Sequence, residues 1–335
     1  MKESDAWLRS AAKEIEESAL SKDLSTIYIG GGTPTCLSSR QLESLCTLLD
    51  PYASYVREYT VEINPETLDK EKAEILARHG INRASVGVQT GHVGLLALLG
   101  RHHNNEDVHT CMSLLKEAGI DNISLDLMYG LPGETLSMLE EDLDTVMSFA
   151  PKHISLYSLE VHEGTVFSKK GITECDPDLE ADMYEMICDR LPKEGYHQYE
   201  ISNFAREGYE SMHNRVYWHY DNFYGISAGA SGKDGLIRYS HDGQLSSYLK
   251  DPLCVEKVEL SREDAMFEMV MMGLRLKEGM SLSLFEERFG VSFFARFKGK
   301  VEPLIKEGLL EIQGDTLRCT KRGFALENTV LVELM

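Results

Sequence analysis

A glycine-rich turn and three polar residues are the positions whose types and spacing could do chemistry in this sequence. The turn reads GGGTP at residues 30–34, and its glycines let the backbone bend sharply and let a ligand touch main-chain groups. Glu62, Gln89 and Asp126 each lie at or near the end of a different strand-like run. Without a ligand, the turn would be a plain connection from a strand to a capped helix.

Strand-like and helical patterns alternate through the first half of the chain, which predicts parallel strands with helical crossovers. In the third run, Val86 and Val88 alternate with Ser85, Gly87 and Gln89, so one face is aliphatic and the other is small or polar. This alternation favours a partial barrel with helices outside and a polar, ligand-sized lumen. The strand-like runs lie at residues 26–34, 59–65, 81–89, 121–133 and 153–160.

Parallel barrels form their sites at the C-terminal strand ends, so Glu62, Gln89 and Asp126 are expected to converge beside the glycine turn. Carboxylates there are costly to bury unless something pairs with them. The set predicts a ligand that carries an amine, hydroxyls and a carboxylate, with Arg101 as the cation for the carboxylate. The alternative is a polar network whose members satisfy one another without a ligand.

Composition narrows the class of protein. The 335 residues carry 55 acidic and 34 basic side chains, a net charge of −21, which argues against a general nucleic-acid partner. No apolar run approaches the roughly 20 residues of a membrane span, and the start is a charged amphipathic pattern, so a cytoplasmic location is expected. The seven cysteines form no CxxC pair, so neither a zinc ribbon nor a disulfide framework is predicted.

Six motifs, in order, are similar to the oxygen-independent coproporphyrinogen III oxidase and HemW families of the radical S-adenosylmethionine (SAM) superfamily. They are GGGTP, ExNP (62–65), SVGVQ (85–89), LLGRxH (98–103), NISLDLMYGLPGE (122–134) and YEISNFA…HNRVYW (199–218). The resemblance implies a partial (β/α)6 barrel that binds a [4Fe–4S] cluster and SAM. By position, Gly31, Gly32 and Thr33 would hold the methionyl end of SAM. The residues that would complete the SAM site are Glu62, Gln89, Arg101 and Asp126.

Within these families, HNxxYW separates the HemW-like heme chaperones from the decarboxylating oxidases. The resemblance makes His213 the candidate heme-iron ligand, and neutral imidazole is a common axial ligand of heme. The implied function is delivery of heme to an acceptor protein such as a respiratory one, with membrane association only through that partner. The alternative is radical SAM decarboxylation of coproporphyrinogen III, for which the chain as given would be inactive because the cluster motif is absent.

The cluster signature of the families, CxxxCxxC, is absent, because no cysteine precedes Cys36. By the same resemblance, the first strand of the family's barrel is expected to be missing from this sequence as well. Either the sequence is a fragment that lacks an N-terminal segment, or the protein is a natural variant that binds heme or SAM without radical chemistry.

The expected fold class is therefore α/β, a partial (β/α)6 radical SAM barrel without its first strand and a C-terminal winged-helix-like helical domain. The barrel is expected at residues 1–170, a connecting region with HNRVYW at 171–260 and the C-terminal domain at 261–335. A winged-helix DNA-binding regulator would be a third class of protein, and the few basic residues of the C-terminal region speak against it.

Overall fold

The computed structural model describes residues 2–18 and 20–335. The chain folds into two compact units. The barrel unit comprises Lys22–Gln198 and Ser202–Glu210, and the C-terminal unit comprises the described part of Met1–Ser21 with Tyr199–Ile201 and Ser211–Met335. The division into three regions that the sequence predicts, at residues 1–170, 171–260 and 261–335, stays a prediction. No helix among the described residues is long and apolar enough to cross a membrane.

The barrel unit holds one mixed seven-stranded sheet in the order β1-β2-β3-β4-β5-β7-β6. The first five strands are parallel, which confirms the predicted alternation of strands and helices. β7 pairs antiparallel with β5, and β6 pairs antiparallel with β7. In the described residues the sheet stays open, with β1 and β6 as its edges. The strands are β1 (Thr26–Ile29), β2 (Glu58–Ile63), β3 (Arg83–Gln89), β4 (Asn122–Tyr129), β5 (His153–Ser158), β6 (His197–Gln198) and β7 (Asn203–Ala205).

Helices cover one face of this sheet. The aliphatic side chains of Val61, Val86, Leu125 and Ile154 are fully buried in one apolar cluster with residues of those helices. Each such side chain stabilises the fold by about 1.5–3 kcal/mol. The helices are α2 (Ser39–Ala53), α3 (Lys70–Arg78), α4 (Val93–Leu98), α5 (Asn105–Glu117), α6 (Leu136–Ser148), α7 (Val166–Lys169) and α8 (Pro177–Arg190), with short 3-10 turns at Pro34–Cys36, Pro65–Thr67 and Leu191–Glu194.

The opposite face of the sheet is polar. Glu62, Ser85, Ser124 and His153 are register partners across four neighbouring strands, so their side chains form one row. Because side chains alternate along a strand, the aliphatic residues between them must face the helices. This row forms the polar floor of the candidate site, meaning the side of the site that the sheet provides.

The C-terminal unit contains α1 and two small antiparallel sheets, in the orders β10-β9-β8 and β11-β13-β12. β12 and β13 form an antiparallel hairpin near the C-terminus, and a phenylalanine-rich core joins the surrounding helices. The elements are α1 (Lys2–Glu17), α9 (Met212–Trp218), β8 (Ser231–Asp234), β9 (Ile237–Ser240), α10 (Leu245–Lys250), β10 (Glu256–Glu259), α11 (Arg262–Leu274), β11 (Met280–Ser281), α12 (Leu282–Phe289), α13 (Phe293–Lys306), β12 (Leu310–Gln313), β13 (Thr316–Cys319), α14 (Lys321–Ala325) and α15 (Glu327–Leu334).

A buried carboxylate joins α1 to the rest of the C-terminal unit. Glu14 is 2% exposed, and its carboxylate lies 2.8 Å from Nε2 of His241. It also accepts hydrogen bonds from the hydroxyl of Tyr248 at 2.5 Å and from the backbone N–H of Ser227 at 3.0 Å. A buried carboxylate is tolerated when such partners surround it, so these contacts place α1 in this unit rather than with the barrel strands that follow it in sequence.

Candidate functional site

The glycine turn after β1 is closed by Glu62 from the end of β2. One carboxylate oxygen of Glu62 accepts the backbone N–H of Gly31 at 3.0 Å, and the other accepts the hydroxyl of Tyr28 at 2.9 Å. A Cβ at Gly30 would lie 2.6 Å from the carboxylate and 2.5 Å from the ring of Tyr28, so only glycine fits there. A Cβ at Gly31 or Gly32 would meet nothing within 4 Å. The turn is therefore closed on one side and open to a ligand on the other.

Gln89 ends β3 in a strained conformation. Its φ is +64°, in the left-handed region, and the register between β3 and β4 shifts between Gly87 and Gln89. Such backbone costs of the order of 1–3 kcal/mol for a non-glycine residue and is concentrated at functional sites. The amide of Gln89 turns back over Gly87, where an added Cβ would lie 2.7 Å from Nε2.

Arg101 reaches this point from the segment after α4. Its Nη1 donates to Oδ1 of Asn64 at 2.7 Å, and the same oxygen lies 3.7 Å from the position that a Cβ on Gly87 would take. Asn64 therefore holds the guanidinium near the strand ends that carry Gln89. Asn64 was not predicted as a site residue, although it follows the end of β2 directly and lies two residues after Glu62, so both side chains point to the same face.

Asp126 on β4 is held by serine hydroxyls. Ser85 donates to one carboxylate oxygen at 2.8 Å, and Ser124 donates to the other at 3.0 Å. Because the proton of Ser124 is used in this bond, the Nδ1–H of His153, 2.8 Å away, must be the donor to its oxygen. Burial lowers the pKa of His153 well below its ordinary value, so the ring is neutral. These serines were not predicted as site residues, and only the register of the strands shows them.

The electrostatics favour a cationic ligand. Burial raises the pKa of Asp126 above its ordinary value, and burial together with the charge of Asp126 raises the pKa of Glu62. Both carboxylates are therefore costly as anions, and a positive group between them would lower both pKa values. The structure thus brings Gly31, Gly32, Glu62 and Asp126 into one group. Gln89 and Arg101 meet beside it through Asn64, and half-buried Thr33 begins the following 3-10 turn.

The HNRVYW segment forms α9 in the C-terminal unit. Ser211 caps the helix by accepting the N–H of Asn214 at 3.2 Å. Nε2 of His213 lies 2.8 Å from the hydroxyl of Tyr217, one helical turn on, and the two rings meet edge to face at 5.0 Å. Burial raises the pKa of Tyr217, so its hydroxyl keeps its proton. The ring of Phe223 packs edge to face on Tyr217 at 4.7 Å. His213 is therefore held by a neutral phenol.

Comparisons with known proteins show which family the chain resembles. A family model described as the radical SAM superfamily matches residues 5–146, and one described as the HemN C-terminal domain matches residues 260–326. A curated protein of Lactococcus lactis subsp. lactis named heme chaperone HemW is 38% identical over 99% of this chain and 89% of its own length. The protein of the same name from Bacillus subtilis is 40% identical over 92% of this chain and 84% of its own length.

This chain belongs to the HemW family. The fold of this HemW-family chain also matches a solved structure, that of the coproporphyrinogen III oxidase HemN from Escherichia coli, with a TM-score of 0.83. That match covers 99% of this chain and 83% of the other, at 21% identity, and it shows a common fold. The predicted radical SAM fold with a C-terminal helical domain is therefore confirmed.

The side chains present do not fit a [4Fe–4S] cluster. In residues 2–18 and 20–335, no group of three or more His, Cys, Asp or Glu side chains is placed to hold a metal ion. A cluster that binds SAM needs three thiolates, whereas the cysteines of this HemW-family chain lie apart.

The loop after β4 holds a second buried carboxyl group. Glu134 is 3% exposed, one of its oxygens accepts the backbone N–H of Leu131 at 2.9 Å, and the other finds no hydrogen-bond partner among the described residues. Burial, with the nearby charge of Asp142, raises the pKa of Glu134 to about 7. The folded state therefore binds this proton more tightly than the unfolded chain does.

Replacing Glu134 with Gln should raise the free energy of unfolding at pH 8 by about 1–3 kcal/mol. The folded state is stabilised by the proton on Glu134, and this stabilisation is lost as the pH rises from the ordinary pKa of a glutamate through the folded pKa of about 7. Glutamine cannot ionise, so the variant does not lose this stability. The gain should be smaller at pH 5. Urea unfolding at both pH values measures it, with the exposed Glu117→Gln as the control. An equal gain at both pH values would contradict the assignment.

Proposed function

We propose that this chain is a heme chaperone that binds heme through His213 on α9 and passes it to an acceptor protein. The observation that carries the proposal is the position of His213, whose Nε2 lies 2.8 Å from the neutral hydroxyl of Tyr217. Histidine binds heme iron through a ring nitrogen, and a hydrogen bond to a phenol costs little to exchange for that bond.

His219, at the end of the same helix, is bound differently. Its Nε2 lies 3.2 Å from the carboxylate of Glu278, which Arg215 also contacts at 2.7 Å. The hydrogen bond from His219 and the guanidinium of Arg215 lower the pKa of Glu278 to about 2. Nε2 of His219 is therefore already engaged by a carboxylate that Arg215 also binds, so we take His213 as the iron ligand on α9.

The barrel unit fits SAM as its ligand. The open side of Gly31 and Gly32, with Thr33, would receive the methionyl end. Glu62 and Asp126 would bind cationic and hydroxyl groups, and Gln89 and Arg101 would orient the carboxylate end. Burial raises the pKa values of Glu62 and Asp126, and a cationic group of the ligand beside them would stabilise their carboxylates, which supports this assignment. In the radical SAM superfamily this cofactor supplies the radical chemistry. The residues named here bind and orient it.

The oxidase interpretation has less support. The curated relatives at 38% and 40% identity carry the name heme chaperone, whereas the likeness to coproporphyrinogen III oxidase, at 21%, shows the fold alone. The acceptor is therefore proposed to be a heme-accepting protein, such as a respiratory one, that also provides any contact with a membrane.

A heme titration of the full chain tests the proposal. We expect saturable binding at one heme per chain, followed through the Soret band. The loaded chain should then transfer heme to an apo-hemoprotein, and this transfer should be faster than transfer from heme-loaded albumin to the same acceptor. A Soret band that grows without saturation would overturn the proposal.

Replacing Tyr217 with Phe should strengthen heme binding about two- to tenfold. The substitution removes the hydroxyl that holds Nε2 of His213, and a hydrogen bond of this kind has a net worth of about 0.5–1.5 kcal/mol. The aromatic contact with Phe223 is kept. Tyr224→Phe, at an exposed position, is the control. A Tyr217→Phe variant that binds heme more weakly than the parent would show that the phenol helps the ligand instead of competing with iron.

A further inference from the structure

An open cleft of about 640 Å³ lies within the C-terminal unit. It is bordered by the segment after α9, the β8–β9 hairpin, the start of α11 and the end of α12. Three cationic side chains line it, with one carboxylate, in a chain whose net charge is −21. These charged residues are Lys233, Arg262, Arg288 and Asp221.

Two of the cations share one neutral partner. Tyr220 has a φ of +59°, and its carbonyl oxygen accepts Nζ of Lys233 at 3.0 Å and Nη1 of Arg288 at 2.7 Å. Lys233 is only 4% exposed, and its ammonium also lies 3.9 Å from the centre of the Tyr220 ring. A carbonyl and a ring hold these groups in place without cancelling their charge.

The carboxylates nearby leave a positive excess. Asp221 pairs with Arg288 at 2.9 Å, and Glu268 pairs with Arg238 at 2.8 Å. Arg262 is exposed and makes no hydrogen bond or ion pair within the described residues. Burial, together with the charges of Arg288 and Arg238, lowers the pKa of Lys233 to about 8. Lys233 and the neighbouring arginines repel one another, and a bound anion would offset this repulsion.

We propose that this cleft is a binding site for an oxyanion-bearing ligand, held by Lys233, Arg262 and Arg288. Guanidinium groups bind carboxylates in a two-pronged geometry, and Leu236 and Phe289 give the wall an apolar surface for the body of the ligand. The oxyanion has two possible sources. It is either a free small anion or the propionates of heme, and the second source rests on the proposed function.

Calorimetric titration of the full chain with citrate tests the site itself. Saturable binding at pH 7 is expected, and Arg262→Gln should weaken it about tenfold, the usual worth of a charge-assisted hydrogen bond. Arg296→Gln is the matched control, because Arg296 is an exposed arginine that pairs with Glu263 outside the cleft. Binding should also weaken as the pH rises through about 8 and Lys233, facing Arg288, Arg238, Asp221 and Glu268, loses its proton.

Heme and its dimethyl ester separate the two sources. If heme is the ligand, the parent chain should bind heme about tenfold more tightly than the ester, and Arg262→Gln should abolish the difference. Citrate binding without this preference assigns the site to a free anion. If heme does not bind at all, while citrate binds and is weakened by Arg262→Gln but not by Arg296→Gln, the proposed function is wrong and the proposed anion site is supported. If the parent chain binds heme and its dimethyl ester with equal affinity, and Arg262→Gln does not change the affinity for citrate, the proposal that this cleft binds an oxyanion is wrong.

Discussion

A His213→Ala variant should bind heme about 100-fold more weakly than the parent chain and should lose the Soret maximum of the histidine-bound form. Changes in the partners of metal ligands already cost about 10–100-fold in affinity, so loss of the ligand itself should lie at the upper end. His213 is half-buried on α9, and only its ring is removed, so the helix and its Ser211 cap are kept. Heme titration followed in the Soret region measures both effects.

His219→Ala is the matched control for this variant. His219 ends the same helix, but its ring is paired with Glu278 at 3.2 Å, and Arg215 would keep that carboxylate partnered after the substitution. Heme affinity within about twofold of the parent is expected. Unchanged affinity in His213→Ala, or a loss confined to His219→Ala, would show that the iron ligand is wrongly assigned.

An Asp126→Asn variant should bind SAM about 10–100-fold more weakly, while the ligand-free protein becomes more stable. Hydrogen bonds to a charged group are worth about 1.5–3 kcal/mol, and the amide offers one acceptor where the carboxylate offers two. The serines around it can turn their hydroxyls to suit an amide, so the polar floor survives. Equilibrium dialysis with SAM and a thermal unfolding scan, in which a rise of about 2 °C is expected, measure the two effects.

The pH dependence gives the sign of the stability effect. Burial raises the pKa of Asp126 above its ordinary value, so the folded state holds the proton more tightly and the parent loses stability as the pH rises through the folded pKa. The stability gain of Asp126→Asn should therefore grow with pH. Asp142→Asn is the control, because Asp142 is another buried carboxyl with a raised pKa, on α6, and it should leave SAM binding unchanged. Unaltered SAM affinity in Asp126→Asn would remove this residue from the site.

Much of the barrel unit could be predicted because its signals are local. Alternation of Val86 and Val88 with Ser85 and Gly87 is written in consecutive residues, and it fixes which face of β3 meets the helices. The ends of parallel strands meet at one edge, so the grouping of Glu62 with Asp126 followed from the strands alone. The SAM-binding role of these residues and the heme ligation by His213 stay predictions for the experiments above.

The sequence by itself determined the strands, their buried and polar faces and the family, because each depends on residue order over short distances. Only the tertiary structure decided the left-handed backbone of Gln89, the bond between Asn64 and Arg101 and the contact of His213 with Tyr217. It alone joined α1 to the C-terminal unit through Glu14, and it alone gathered Lys233 and Arg288 on one carbonyl oxygen. These contacts depend on side-chain geometry and mostly join residues far apart in the chain, so their free energies arise only when packing brings the groups together.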